Sequence, residues 1–133
     1  MSRMRDALFR IVVTLALATL IGTYVVPPII VSTVLDRLPA EEFYPPPIYA
    51  DWWYAVQACS QRRTIVPMPR MYVVHAEDFK LGSLVVIGFY DWWRNRIYLA
   101  APEVFNSTTV GHEMLHALGW FHNSAGYFRC HLT

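Results

Sequence analysis

The chain has 133 residues, 55% of them hydrophobic and 16% charged, with 11 Lys and Arg against 10 Asp and Glu. That length holds one domain of ordinary size. Ten of the eleven basic residues are arginines scattered without a run, so the near-neutral balance excludes a nucleic-acid-binding patch.

The first element is apolar. No charge occurs from Ile11 to Leu35, and Arg3, Arg5 and Arg10 precede the run. This is a positive head followed by a hydrophobic segment. Ala16 and Ala18, the nearest small-residue pair for signal cleavage, fall inside the run rather than after it, which favours a retained signal anchor. A cleaved segment would leave a secreted protein. Ile11 to Val26 spans only about 24 Å as a helix, short of the roughly 30 Å hydrocarbon core. Adding Ile29 to Leu35 past a kink at Pro27-Pro28 supplies the length. The expectation is a single-pass transmembrane helix within a unit 1–37, with a cytoplasmic N-terminus and an extracytoplasmic domain, periplasmic or extracellular.

Residues 38–47, with Glu41, Glu42 and Pro45-Pro46-Pro47, predict a stiff extended spacer. A domain of about 85 residues, 48–133, then follows, small enough for a metal and a disulfide to matter to its stability. Asp51 is a candidate N-cap for a helix through Ser60, with Trp52, Ala55, Val56 and Cys59 on one face. On that spacing Cys59 faces the core. Met71–His75, Ser83–Tyr90 and Arg96–Ala100 read as strands rich in Val, Ile and Tyr, the last two joined by a hairpin loop over 91–95. Trp52-Trp53 and Trp92-Trp93 read as core and rim packing. Cys59 and Cys130 are the only cysteines. In an oxidising compartment they would pair and tie the C-terminal tail to the start of the domain.

Asn106 or Ser107 can cap a helix from about Thr108 to Leu118 that Gly119 stops. Val110, Met114 and Leu118 form its apolar stripe, leaving His112 and His116 together on another face. Imidazoles at i and i+4 lie one turn apart, a spacing that lets both bind one ion at about 2.0–2.1 Å. Glu113 projects beside such an ion, where a carboxylate takes a proton from zinc-bound water. On a continued helix His122 would lie about 9 Å beyond His116 along the axis. Gly119 permits the positive φ that turns the chain back, so His122 can complete the ligand set. Five such positions filled by chance has a rate on the order of one in ten million per starting point, which argues against incidental histidines. His75, on a distant strand, reads as structural or surface, since three ligands and a water complete a catalytic zinc sphere.

Residues 112–122, His-Glu-Met-Leu-His-Ala-Leu-Gly-Trp-Phe-His, resemble the extended zinc signature of the metzincin clan of metallopeptidases. The resemblance implies an α+β fold: a small zincin-like domain, here behind the N-terminal helix, with a short, mostly antiparallel or mixed sheet and an active-site helix. It implies His112, His116 and His122 as ligands of one Zn²⁺ per chain, Glu113 as general base and Gly119 as the turn. No methionine follows Met114, so the methionine turn of that clan has no counterpart. A shorter segment has to form the floor of the site, and a Cys59–Cys130 bond would pin it. In some metzincins a later tyrosine assists at the metal or oxyanion. Tyr127 and His131 are the nearby candidates, with packing and a solvent-exposed tail as their plain alternatives.

The expected function is zinc-dependent hydrolysis of peptide bonds in a peptide or protein substrate, as an endopeptidase, with zinc-bound water activated by Glu113. A substrate strand would lie along an exposed sheet edge, with Ser83–Tyr90 the first candidate and Arg96–Ala100 the second. The rival is an extracytoplasmic zinc-binding interaction or sensor domain without hydrolytic activity. Retention of Glu113 counts against it, because a structural site needs no base.

Overall fold

Strand-forming residues in the middle of the chain pair into a mixed sheet, with two helices packed over one face and the end of a third helix over the other. The computed structural model describes residues 11–21, 26–63, 67–124 and 126–132. Arg3, Arg5 and Arg10 lie outside them. Residues 11–21 are helical, followed in order by α1 (Val26–Leu35), β1 (Ala40–Phe43), α2 (Ile48–Ser60) and β2 (Arg70–Val74). Then come β3 (Phe79–Leu81), β4 (Leu84–Val86), β5 (Gly88–Asp91), β6 (Arg96–Ala100) and α3 (Ser107–Ala117), with a 3₁₀ turn at Tyr127–Cys130. The four-stranded sheet has the order β1-β2-β6-β5. β1 and β2 are antiparallel, β2 and β6 parallel, and β6 and β5 antiparallel. The expected α+β class with a mixed sheet is therefore observed. β3 and β4 form a separate hairpin.

The expected transmembrane helix is not. Among the described residues no helix is long and apolar enough to cross a membrane. The 11 helical residues at 11–21 rise about 16 Å, and the 10 of α1 about 15 Å, each half the hydrocarbon thickness. Pro27 and Pro28 sit in the first turn of α1, where a missing N–H leaves no bond unmade. The far end of α1 belongs to the domain: Leu35 is buried with Val74, Phe79, Tyr98 and Ala100. Arg94 clamps that end, donating to Asp36 Oδ1, to Ser32 O and to the buried Asp91. This overturns the single-pass membrane placement, which rested on that helix.

Three local expectations change as well. The stretch 38–47, read as a spacer, supplies β1, paired from Ala40 with Val74 to Phe43 with Met71. α2 begins at Ile48, before Asp51, and buries Tyr49, Trp53, Val56 and Ser60. Its core stripe is thus offset from the predicted one, and Cys59 is exposed. Ser83–Tyr90 is not one strand. Gly82, with φ +65°, makes a two-residue turn with Ser83 between β3 and β4, and the chain then leaves that hairpin to pair with β6.

The main core lies between sheet and helices: Tyr49, Val56, Met71, Ile97, Leu99, Val110, Met114 and Leu115 are fully or almost fully buried. Val110, Met114 and Leu118 face it as their spacing predicts. Cys59 and Cys130 are disulfide-bonded across 71 residues, joining the end of α2 to the 3₁₀ turn.

Candidate metal centre

Of the two candidate caps Asn106 is the one used: its side chain accepts from Thr108 N and Thr109 N and starts α3. α3 carries His112 and His116 one turn apart, and Gly119, at φ +76°, ends it. The reversal returns His122 to the same place, so that one ligand atom each of His112, His116 and His122 lies within 4.8 Å of the others. These three histidines could hold a metal ion.

Bonds of 2.0–2.1 Å to a tetrahedral ion put ligand atoms about 3.4 Å apart. His112 Nε2 and His122 Nε2 are 3.1 Å apart. His116 Nδ1 lies 2.8 Å from Trp120 O; a carbonyl only accepts, so Nδ1 carries the proton and Nε2 keeps its lone pair for a metal. Burial, then the neighbouring His116, His131 and His122, push His112 down to about 4. Burial also lowers His116, partly offset by the Trp120 carbonyl. Both are neutral at pH 7, the state a ligand needs.

Glu113, one residue past the first ligand, is 5% exposed. Burial raises its carboxyl to about 8, against the lowering effect of a hydrogen bond from the Tyr90 backbone. The donor lies on β5, and the ladder explains why it is available. Ala100 N donates to Ile87 O, and opposite pairs alternate between bonded and non-bonded in an antiparallel ladder. Phe89 therefore bonds across to Tyr98, whereas Gly88 and Tyr90, opposite Leu99 and Ile97, direct their N–H and C=O groups away from the sheet. β5 is one of the sheet's two edge strands, β1 being the other. β6 is paired on both sides, which removes Arg96–Ala100 as a docking edge.

An open cleft of about 950 Å³ runs between this edge and α3, lined by the three histidines, Glu113 and apolar side chains such as Val85, Ile87 and Phe121. Tyr127 is fully buried on the core side of the histidines. Its ring centroid lies 5.3, 5.5 and 5.3 Å from those of His112, His116 and His122. Its hydroxyl is 3.3 Å from His116 Nε2, and burial, then the Glu113 charge, raises its pKa, so it stays protonated. Tyr127 thus supplies a rigid surface common to all three histidines. His131 is half-buried rather than an exposed tail, with its ring 5.1 Å from that of His112. The tail is fastened to α3: Thr108 Oγ1 donates to Leu132 O at 2.7 Å, and Leu132 packs so closely on Gly111 that a Cβ there would meet it at 2.9 Å. His75 is remote and pairs with Glu41 at the surface.

Two contributors escaped the reading by sequence. Trp120 acts through its carbonyl, which no side-chain motif reveals. Gly88 is a glycine inside a strand, a signal of close backbone approach that was there to be used. Compared with family models, curated proteins and solved structures, the chain matches none. Three convergent histidines do not by themselves make it a metzincin.

Proposed function

We propose that the chain is a zinc-dependent metallopeptidase, an endopeptidase acting on extended peptide segments. The observation that supports this best is the convergence of three histidines beside a buried carboxylate on the wall of an open cleft. His112, His116 and His122 would hold the ion, and three protein ligands leave the open position that distinguishes a catalytic zinc. Bound there, Zn²⁺ supplies Lewis acidity and lowers the pKa of water.

Glu113 is the only carboxylate among the residues lining the cleft. In the substrate-free, metal-free fold its raised pKa keeps it largely protonated at pH 7. With an ion held by the three histidines, Glu113 would favour its ionised form and serve as the base. It then takes the proton of the attacking water and hands it to the leaving amine. The outward groups of β5 align an extended substrate by main-chain hydrogen bonds.

The experiment pairs metal analysis with hydrolysis. Purified protein should carry one zinc per chain and cleave an unfolded protein or a peptide library. Glu113→Ala should retain zinc and lose cleavage. Zinc-loaded wild type that cleaves no member of such a pool would leave a zinc-binding interaction domain as the better reading.

A further inference from the structure

We propose that Gly88 and the Tyr90 backbone N–H are positioning groups for Glu113, so that edge strand β5 holds the base as well as lining the cleft. This rests on the assignment of Glu113 as the base.

Two independent observations meet at this contact. The first is steric. A Cβ built on Gly88 would lie 2.9 Å from Glu113 Oε1, 3.1 Å from Glu113 Cγ and 3.1 Å from Thr109 Cγ2. Gly88 has an ordinary negative or extended φ, so the backbone there does not demand glycine. The contact with α3 does. Every larger residue would drive the Glu113 carboxylate off its present site, and at 5% exposure that side chain has little room to retreat. The second is the hydrogen bond. Tyr90 faces its N–H out of the ladder, by the alternation that bonds Ile87 and Phe89 to β6, and the Glu113 carboxylate accepts it. A carboxylate on a helix has several staggered rotamers. The missing side chain at 88 opens one of them, and the N–H at 90 selects it.

The arrangement also marks the register of an added strand. With the Tyr90 N–H engaged, the outward groups left for a substrate are those of Gly88 and the Tyr90 carbonyl. Main-chain pairing thus ends beside Glu113, where a scissile bond has to lie for the base to reach it.

The contact can be tested without metal and without turnover. In metal-free protein, amide exchange at Tyr90 should be slow in wild type and at least ~10-fold faster in Glu113→Ala, with Phe89, bonded within the ladder, unchanged. Gly88→Ala should show the same loss of protection at Tyr90. Zinc-loaded Gly88→Ala should bind zinc within about threefold of wild type, because residue 88 does not touch the histidines, and lose on the order of 10²-fold in kcat with KM little changed. Unchanged Tyr90 exchange in Glu113→Ala overturns the inference whether or not Gly88→Ala folds. A folded Gly88→Ala with full kcat overturns it too. Zinc-loaded wild type that hydrolyses nothing removes the base itself, and this inference with it, while the Tyr90 exchange result would still report the contact.

Discussion

The disulfide is where stability and site meet, and its removal gives a measurable number. Cys59 and Cys130 close a loop of 71 residues. The chain-entropy relation assigns such a loop about 4.4 kcal/mol at 25 °C. For a domain whose total stability is of the order of 5–10 kcal/mol, that is about half or more of the whole. The double variant Cys59→Ser/Cys130→Ala avoids a lone thiol and places the smaller apolar residue at the buried end. In urea, with zinc chelated, its extrapolated unfolding free energy should fall by about 3–4 kcal/mol, allowing for residual structure in the unfolded chain. The same bond anchors the turn that carries Tyr127 and leads to His131, so zinc affinity should fall by roughly 10-fold when the bond is cut. Chelator competition measures it. A stability loss under about 1 kcal/mol, or wild-type stability insensitive to reductant, would refute the view that this bond constrains the fold.

The floor of the site should depend on the Tyr127 ring more than on its hydroxyl. Tyr127→Phe should cost about 1 kcal/mol, whereas Tyr127→Ala should cost about 3–5 kcal/mol and weaken zinc by roughly 10–100-fold in chelator competition. Arg94→Ala strips the ion pair from Asp91, which is 3% exposed, and cuts α1 loose at Asp36. The expected loss is about 3–5 kcal/mol in urea unfolding, with new protease cleavage near residues 36–39 and zinc binding retained. The pH dependence of the metal-free protein separates the two buried acids. His112, lowered from 6.5 to about 4, contributes stability present above pH 6.5 and lost as pH falls through 4. Glu113, raised from 4.5 to about 8, contributes stability present below pH 4.5 and lost as pH rises through 8. Glu113→Gln keeps the histidine contributions and lacks only this one, so between pH 6.5 and 8 the melting temperature of metal-free wild type should fall relative to that of Glu113→Gln. Equal slopes in the two proteins would rule out the buried neutral carboxyl.

Much of the candidate centre was legible because its geometry is local. The i, i+4 placement of His112 and His116 follows from helix pitch, and Gly119 with His122 is a turn problem solved within six residues. The stripe of Val110, Met114 and Leu118 needed nothing more than the same period. Cysteine count and spacing sufficed to suggest the pairing of Cys59 with Cys130, although the face of α2 on which Cys59 sits did not follow. The core stripe there is chosen by tertiary packing, with Tyr49 edge-on to Phe43 of β1 and α2 lying against α3, not by the helix alone.

What tertiary structure decided lies in contacts between segments far apart in the chain. Hydropathy marks residues 11–35 as apolar but is blind to Arg94, which reaches across 58 residues to Asp36 and ties that segment's end to the domain. The spacer became a strand because Met71–Val74 offered a ladder to Ala40–Phe43, a pairing that local composition does not encode. Tyr127 is an ordinary aromatic in the sequence and a surface common to three histidines in the fold. The base behaves likewise: residues 112–122 by themselves say that Glu113 stands beside a metal ligand, but the side chain's position depends on a strand some 25 residues earlier, with no Cβ at 88 and an N–H at 90 that the ladder leaves to Glu113. Helix pitch and turns are properties of neighbours in sequence, whereas strand edges, steric gaps and floors exist only after distant residues meet.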